Sequence, residues 1–147
     1  MTLTVGATAP VFTAQDTQGN SISLSDLAGK TIVLYFYPKD DTSGCTKEAC
    51  SFRDNYSAYQ GKDIVVLGVS ADDQESHQRF TQKFNLPFPL LVDTDFSIIK
   101  AYDVDAGGRA KRVTYVINPQ GQIHHVYDSV KTETHATDIL SDLGLGL

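Results

Sequence analysis

Thr31-Ile32-Val33-Leu34-Tyr35-Phe36-Tyr37 is a run of β-branched and aromatic side chains that stops at Pro38. Its shortness and its lack of polar alternation give it the signature of a strand buried on both faces. A polar loop follows over residues 39–44. From residue 45 to residue 59 the apolar positions are Cys45, Ala49, Phe52, Tyr56 and Tyr59. Steps of four and three put them on one face of a single helix. Residues 63–70, with Ile64-Val65-Val66-Leu67 at their centre, form a second buried strand. Residues 73–84 are helical, with His77, Phe80 and Phe84 on one side. Asn85-Leu86-Pro87-Phe88-Pro89 ends that helix, and Leu90-Leu91-Val92 is a third short strand. Buried strands separated by helices imply parallel pairs joined by right-handed crossovers.

Outside this unit the patterns are shorter. Residues 11–17 and 21–23 flank Gln18-Gly19-Asn20 and read as a hairpin. Ser25-Asp26-Leu27-Ala28-Gly29 reads as one capped helical turn closed by glycine. Residues 96–102 suggest a short helix, and residues 103–111 a glycine-containing loop. Residues 113–117 and 122–127 are strands joined by Asn118-Pro119-Gln120-Gly121, a hairpin turn. Residues 132–143 form a closing helix, with Ala136, Ile139, Leu140 and Leu143 at i, i+3, i+4 and i+7. The element order matches a thioredoxin-like α/β sandwich: a central mixed β-sheet flanked by helices, with an N-terminal β-hairpin. At ~150 residues per domain, residues 1–147 are expected to be a single domain.

Composition narrows the function. The chain is 41% hydrophobic and 20% charged, which suits a folded globular protein rather than a disordered one. Twelve Lys and Arg against 18 Asp and Glu give a net charge of −6. An acidic chain without a basic run is a poor partner for nucleic acid or anionic membrane. No apolar run approaches the ~18 residues of a membrane span. The N-terminus lacks a secretory pattern. A cytoplasmic address is therefore expected.

The two cysteines, Cys45 and Cys50, lie in one short stretch. Small buried hydrophobes need not cluster in this way. Cys45 follows a strand and a loop and opens a helix, so its sulfur sits near unpaired N–H groups and the positive end of the helix dipole. Such a setting favours the reactive thiolate. Glu48, one turn on, opposes it unless paired. Positions five apart on an intact helix differ by ~140° and rise ~7.5 Å, leaving the Cα atoms roughly 8–9 Å apart. A disulfide wants them within ~7 Å. If Cys45 and Cys50 form one, oxidation is coupled to local unwinding.

The string Phe36-Tyr37-Pro38-Lys39-Asp40-Asp41-Thr42-Ser43-Gly44-Cys45-Thr46-Lys47-Glu48-Ala49-Cys50 resembles the peroxiredoxins, whose pattern P-x-x-x-[TS]-x-x-C is met at Pro38, Thr42 and Cys45. It is most similar to the Q type, the bacterioferritin comigratory proteins, in which a resolving cysteine often sits five residues after the peroxidatic one. Arg112-Val113-Thr114-Tyr115 resembles the segment that carries the family's active-site arginine. The resemblance implies a thiol-dependent peroxidase acting on hydrogen peroxide and organic hydroperoxides. Cys45 would be the nucleophile, oxidised to a sulfenic acid. Cys50 would resolve it as an intramolecular disulfide, and thioredoxin or a similar dithiol reductant would restore both thiols. Thr42 would offer its hydroxyl to thiolate and peroxide. Arg112 would stabilise the negative charge, and the N–H groups of Gly44 and Cys45 would hold the second oxygen. Pro38 would shield the site. Glu48 would either orient the arginine or only decorate the helix. No cofactor or metal is implied, and a monomer is expected.

Two other chemistries compete. Thioredoxin-fold copper chaperones use C-x-x-x-C and a distant histidine. The extra residue between Cys45 and Cys50 takes them off a common helix face and weakens metal capture. A protein thiol–disulfide oxidoreductase would carry C-x-x-C and a cis-proline where Val113 stands. His124 and His125 lie on an expected strand, so they should point to opposite faces and not share a site. Asp103-Val104-Asp105 reads as a solvated loop, because Thr114 stands where a calcium loop needs glutamate.

Overall fold

A computed structural model describes residues 2–144. The hairpin is β1 (Thr13–Gln15) and β2 (Ser21–Ser23), paired antiparallel as a sheet of its own. Its turn is held by Asp16, whose Oδ1 accepts from the N–H groups of Gln18 and Asn20, both at 2.9 Å. A 3-10 turn at Leu24–Leu27 follows, one residue earlier than its sequence suggests and without a side-chain cap. Gly29 closes it at φ 87, where a side chain would be strained.

The main sheet has the order β5-β4-β3-β6-β7. β3 (Thr31–Phe36), β4 (Ile64–Ser70) and β5 (Leu90–Val92) are parallel; β6 (Val113–Ile117) and β7 (Ile123–Tyr127) extend it antiparallel. The apolar run that reads as a central strand therefore occupies the middle of the sheet. Its alternation divides the core. Ile32, Leu34 and Phe36 pack with Ile98, Ile99 and Tyr102 and with Phe12 beside the hairpin. Val33, Tyr35 and Tyr37 pack with α1 (Ser43–Asp54), α2 (Tyr56–Gly61), α3 (Gln74–Phe84) and α5 (His135–Asp142). α4 itself is Ser97–Ala101.

Three expectations need correction. The helix expected over residues 45–59 is two helices, α1 and α2, broken at Asn55 (φ −113, ψ 9). Asn55 Nδ2 donates to the Ser51 carbonyl at 2.8 Å, a local bond that competes with the helical ladder. The apolar period runs across the break, because Phe52 and Tyr59 still meet edge to face at 5.7 Å. The second correction concerns β7. Its register with β6 shifts, from Val116 opposite His125 to Ile117 opposite Ile123. His124 is the extra residue of this bulge, and a bulge re-aims side chains. The His124 and His125 rings therefore converge, with centroids 4.5 Å apart, instead of pointing to opposite faces. The closing helix also begins at His135 rather than at residue 132.

Candidate active site

Pro38 ends the central strand, and the loop after it is fastened on its far side before α1 begins. Asp40 is buried and accepts from Tyr37 Oη at 2.6 Å and Ser76 Oγ at 2.8 Å. Its Oδ2 also meets His77 Nδ1 at 2.7 Å, while His77 Nε2 meets the Leu91 carbonyl at 2.8 Å. The Leu91 oxygen only accepts, so His77 Nε2 donates to it. The Asp40 N–H donates to Asp72 Oδ2 at 2.8 Å. Asp41, at φ 59, turns the chain toward α1.

Thr42 is the N-cap residue of α1, yet its side chain does not cap it. Its hydroxyl donates backwards to the Lys39 carbonyl at 2.8 Å. The first bond of the helix runs from Thr46 N–H to the Thr42 carbonyl, at 2.8 Å. The N–H groups of Ser43, Gly44 and Cys45 are left outside the helical ladder, as at any helix start. They lie at the positive end of the helix, at and just before Cys45 in sequence.

Cys45 is only 1% exposed. With Ala49 and Phe52 it packs into the core below α1, where Tyr35 stacks on Phe52 at 4.8 Å between ring centroids. Arg112, just ahead of β6, sends Nη2 to Cys45 Sγ at 3.3 Å and Nη1 to Glu48 Oε1 at 2.8 Å. A single guanidinium thus bridges two acidic groups one turn apart. Burial works against its charge, but Glu48 and Cys45 more than offset that, so its proton is held more tightly than usual. Gly44 makes the approach possible: a Cβ there would stand 3.0 Å from Arg112 Nη2.

Glu48 is fully buried. Burial raises it to about 7, although Arg112 pulls the other way. Its Oε2 has no hydrogen-bond partner among the described residues. His135 Nε2 stands 3.8 Å from that oxygen and bonds Thr114 Oγ1 at 2.8 Å. Burial lowers His135 to about 4, with Arg112 adding to the effect and Asp138 opposing it. His135 is therefore neutral near pH 7.

Cys50 lies two turns along α1, half-buried, and both cysteines are free thiols. Burial raises the Cys50 thiol, with Arg53 opposing and Asp54 adding. Because α1 is continuous over Ser43–Asp54, the two sulfurs cannot bond without helix rearrangement. Just beyond Cys50 the helix is pinned. Ser51 Oγ accepts from Ala136 N–H at 3.1 Å, Phe52 packs edge-on against His135 at 5.5 Å, and Arg53 Nη1 donates to the Phe84 carbonyl at 2.8 Å.

The fold thus brings together Cys45, Thr42, Gly44, Arg112 and Glu48, with Pro38 at the strand end and Cys50 nearby. Sequence reading missed the Asp40–His77 fastening and the place of His135. His77 stands out as a polar residue on an apolar helix face and His135 precedes the first apolar position of the last helix, but neither position names its partner. No group of three or more potential metal ligands forms among the described residues.

The chain is similar to known proteins along nearly its whole length. The profile of the AhpC/TSA family matches residues 5–126. The chain is 44% identical to the peroxiredoxin bcp of Coxiella burnetii, covering 97% of this chain and 100% of that one. The crystal structure of a Xylella fastidiosa PrxQ mutant superposes with a TM-score of 0.91 at 30% identity, over 99% of this chain and 98% of that one. A bacterioferritin comigratory protein of Xanthomonas campestris, whose alkyl peroxide reduction activity was the subject of its structure, matches with a TM-score of 0.85 at 32% identity, over 91% and 90% of the two chains. With a thiol at an open helix start, an arginine on its sulfur and relatives of this kind over nearly its full length, the chain belongs to the AhpC/TSA family, among the peroxiredoxins named Bcp and Q.

Proposed function

We propose that this protein is a thiol-dependent peroxidase in which Cys45 is the peroxidatic residue and Cys50 the resolving one. The observation that carries the reading is Arg112 Nη2 at 3.3 Å from Cys45 Sγ, at a helix start whose own cap residue leaves the N–H groups open. A guanidinium on the sulfur favours thiolate over thiol. The thiolate attacks one peroxide oxygen: the S–O bond forms, the O–O bond breaks, and the leaving oxygen departs as water or an alcohol after taking a proton. The N–H groups of Gly44 and Cys45 and the Arg112 fork are suited to the negative charge that develops. Thr42 contributes by releasing its bond to Lys39 and turning its hydroxyl to the peroxide, while Pro38 limits water.

Cys50 then attacks the sulfenic acid, water leaves, and a disulfide forms once residues 43–50 have unwound. A thioredoxin-type reductant restores the two thiols by exchange. Family membership removes the copper-chaperone alternative. No helix among the described residues is long and apolar enough to cross a membrane. The cytoplasmic address, the monomeric state and the reading of residues 1–147 as one domain are parts of this proposal, the last supported by two core clusters that share one sheet.

The test is peroxide loss in the seconds after reduced protein meets a stoichiometric amount of hydrogen peroxide. Fast loss is expected, with Cys45→Ser reduced to the background of ordinary thiols. Cys50→Ser should retain the first oxidation and lose recycling by thioredoxin. Full turnover by Cys45→Ser would refute the assignment.

A further inference from the structure

Arg112 is shared in a way the peroxidase reading leaves unexplained. It is the one cation in contact with two acids, Cys45 and Glu48, among the described residues. Glu48 is fully buried on the same face of α1, one turn from the sulfur, and one of its oxygens lacks any partner. A buried carboxylate oxygen that no donor reaches is costly as part of a charge and much less so as part of a neutral carboxyl.

The charge count agrees. The groups facing Glu48 are Cys45 on its own helix, Arg112 ahead of β6, His135 on α5 and Tyr35 on β3. His135 is neutral near pH 7, because burial lowers it to about 4. Burial, with Glu48, Asp40 and the cysteines adding, raises Tyr35, so its hydroxyl is neutral too. One fixed positive charge therefore faces two groups that can each become negative. If both ionise, the buried pocket carries a net negative charge; if one does, it is balanced. Burying an uncompensated charge is unfavourable, and like charges at short range cannot both ionise freely.

We infer that Cys45 and Glu48 act as a linked acid pair that shares one proton across Arg112, with Glu48 Oε2 holding the proton when Cys45 is a thiolate. Glu48 is then a positioning and charge-setting residue, acting on the sulfur through the arginine. Ionisation of the thiol transfers its proton to the carboxylate by way of solvent, with no change in net charge or oxidation state. The sequence-level objection that Glu48 disfavours a thiolate one turn away is met by its becoming neutral.

Linkage makes the effect reciprocal: what the carboxylate does to the thiol, the thiolate does to the carboxyl. Two titrations of reduced protein test it. The first follows thiolate absorbance in a Cys50→Ser background, with and without Glu48→Gln. The second follows the Glu48 carboxyl by carbon NMR, with and without Cys45→Ser. Glutamine keeps an oxygen for Arg112 Nη1 and, being neutral, stands in for the protonated carboxyl. The inference expects Glu48→Gln to leave the thiol midpoint nearly in place, and Cys45→Ser to lower the carboxyl midpoint by about one pH unit or more. A carboxyl midpoint that does not move, or a thiol midpoint that falls by a full unit because Glu48 had ionised first, overturns it. If Glu48→Gln does not fold, the Cys45→Ser arm decides alone: an unmoved carboxyl midpoint overturns the proposal. Neither arm uses peroxide, so the result is separate from the peroxidase reading on which its catalytic meaning rests.

Discussion

Two helices begin after the carboxyl ends of neighbouring parallel strands, and they begin differently. α3 starts after β4 with Asp73 as its cap, whose Oδ1 accepts from Ser76 N–H at 2.9 Å. α1 starts after β3 with Thr42, an equally able capping residue, whose hydroxyl points back to Lys39 instead. One helix start is satisfied by its own chain. At the other, no side chain caps the first N–H groups, and the buried sulfur of Cys45 has Arg112 on it. The second difference lies further along. α3 is tied through buried His77 to Asp40 and Leu91. The first half of α1 is held through Arg112 on Cys45 and Glu48, and its hydrogen-bonded tie to α5 comes at Ser51. Unwinding of residues 43–50, which hold both cysteines, must therefore release Arg112, while the ties from Ser51 onward can remain. The comparison teaches that the same strand–loop–helix unit serves as scaffold or as reaction centre according to what its first turn leaves open.

The comparison can be broken at several points. Arg112→Lys keeps a positive charge but loses the fork that serves Sγ and Oε1 together. The rate of the first oxidation is expected to fall by about a hundredfold, with a near-unchanged thermal midpoint; a rate within threefold of wild type would show that charge alone suffices. Gly44→Ala is smaller and sharper. Its Cβ would press on Arg112 Nη2, so the guanidinium must shift and the rate should fall by about tenfold. Stability should hold or rise by about 0.5–1 kcal/mol, because alanine is the better helix residue. A loss of both together would mean that the helix start, rather than the arginine, was disturbed. Asp73→Ala removes the cap of α3. About 1 kcal/mol of stability should go, with the peroxide rate within twofold. A large loss of rate would show that the two helix starts are not independent.

Much of this was legible in the sequence, for definite reasons. Residues 31–37 and 64–70 are recognisable as inner strands because a sheet covered on both faces demands unbroken apolar runs. Cys45, Thr42, Pro38 and Arg112 could be named because a family motif carries them. Three features were not legible. The break at Asn55 is local competition by one amide side chain, invisible to a periodicity that continues past it. The convergence of His124 and His125 follows from a bulge, which alternation assumes away. The Asp40–His77 fastening joins residues far apart in sequence, and no local pattern encodes such a pairing. Gly44 was expected to offer its N–H; the structure adds that its missing side chain admits the arginine.

The central claim is that residues 43–50 open on oxidation while the rest of α1 and all of α3 stay in place. Amide hydrogen exchange of the reduced protein against the form with a confirmed Cys45–Cys50 disulfide tests it most directly. The account predicts that residues 46–50 lose protection on oxidation. The Ala136 amide, bonded to Ser51 Oγ, and the amides of residues 77–84 should keep theirs. A disulfide form in which residues 46–50 remain as protected as in the reduced protein would contradict it.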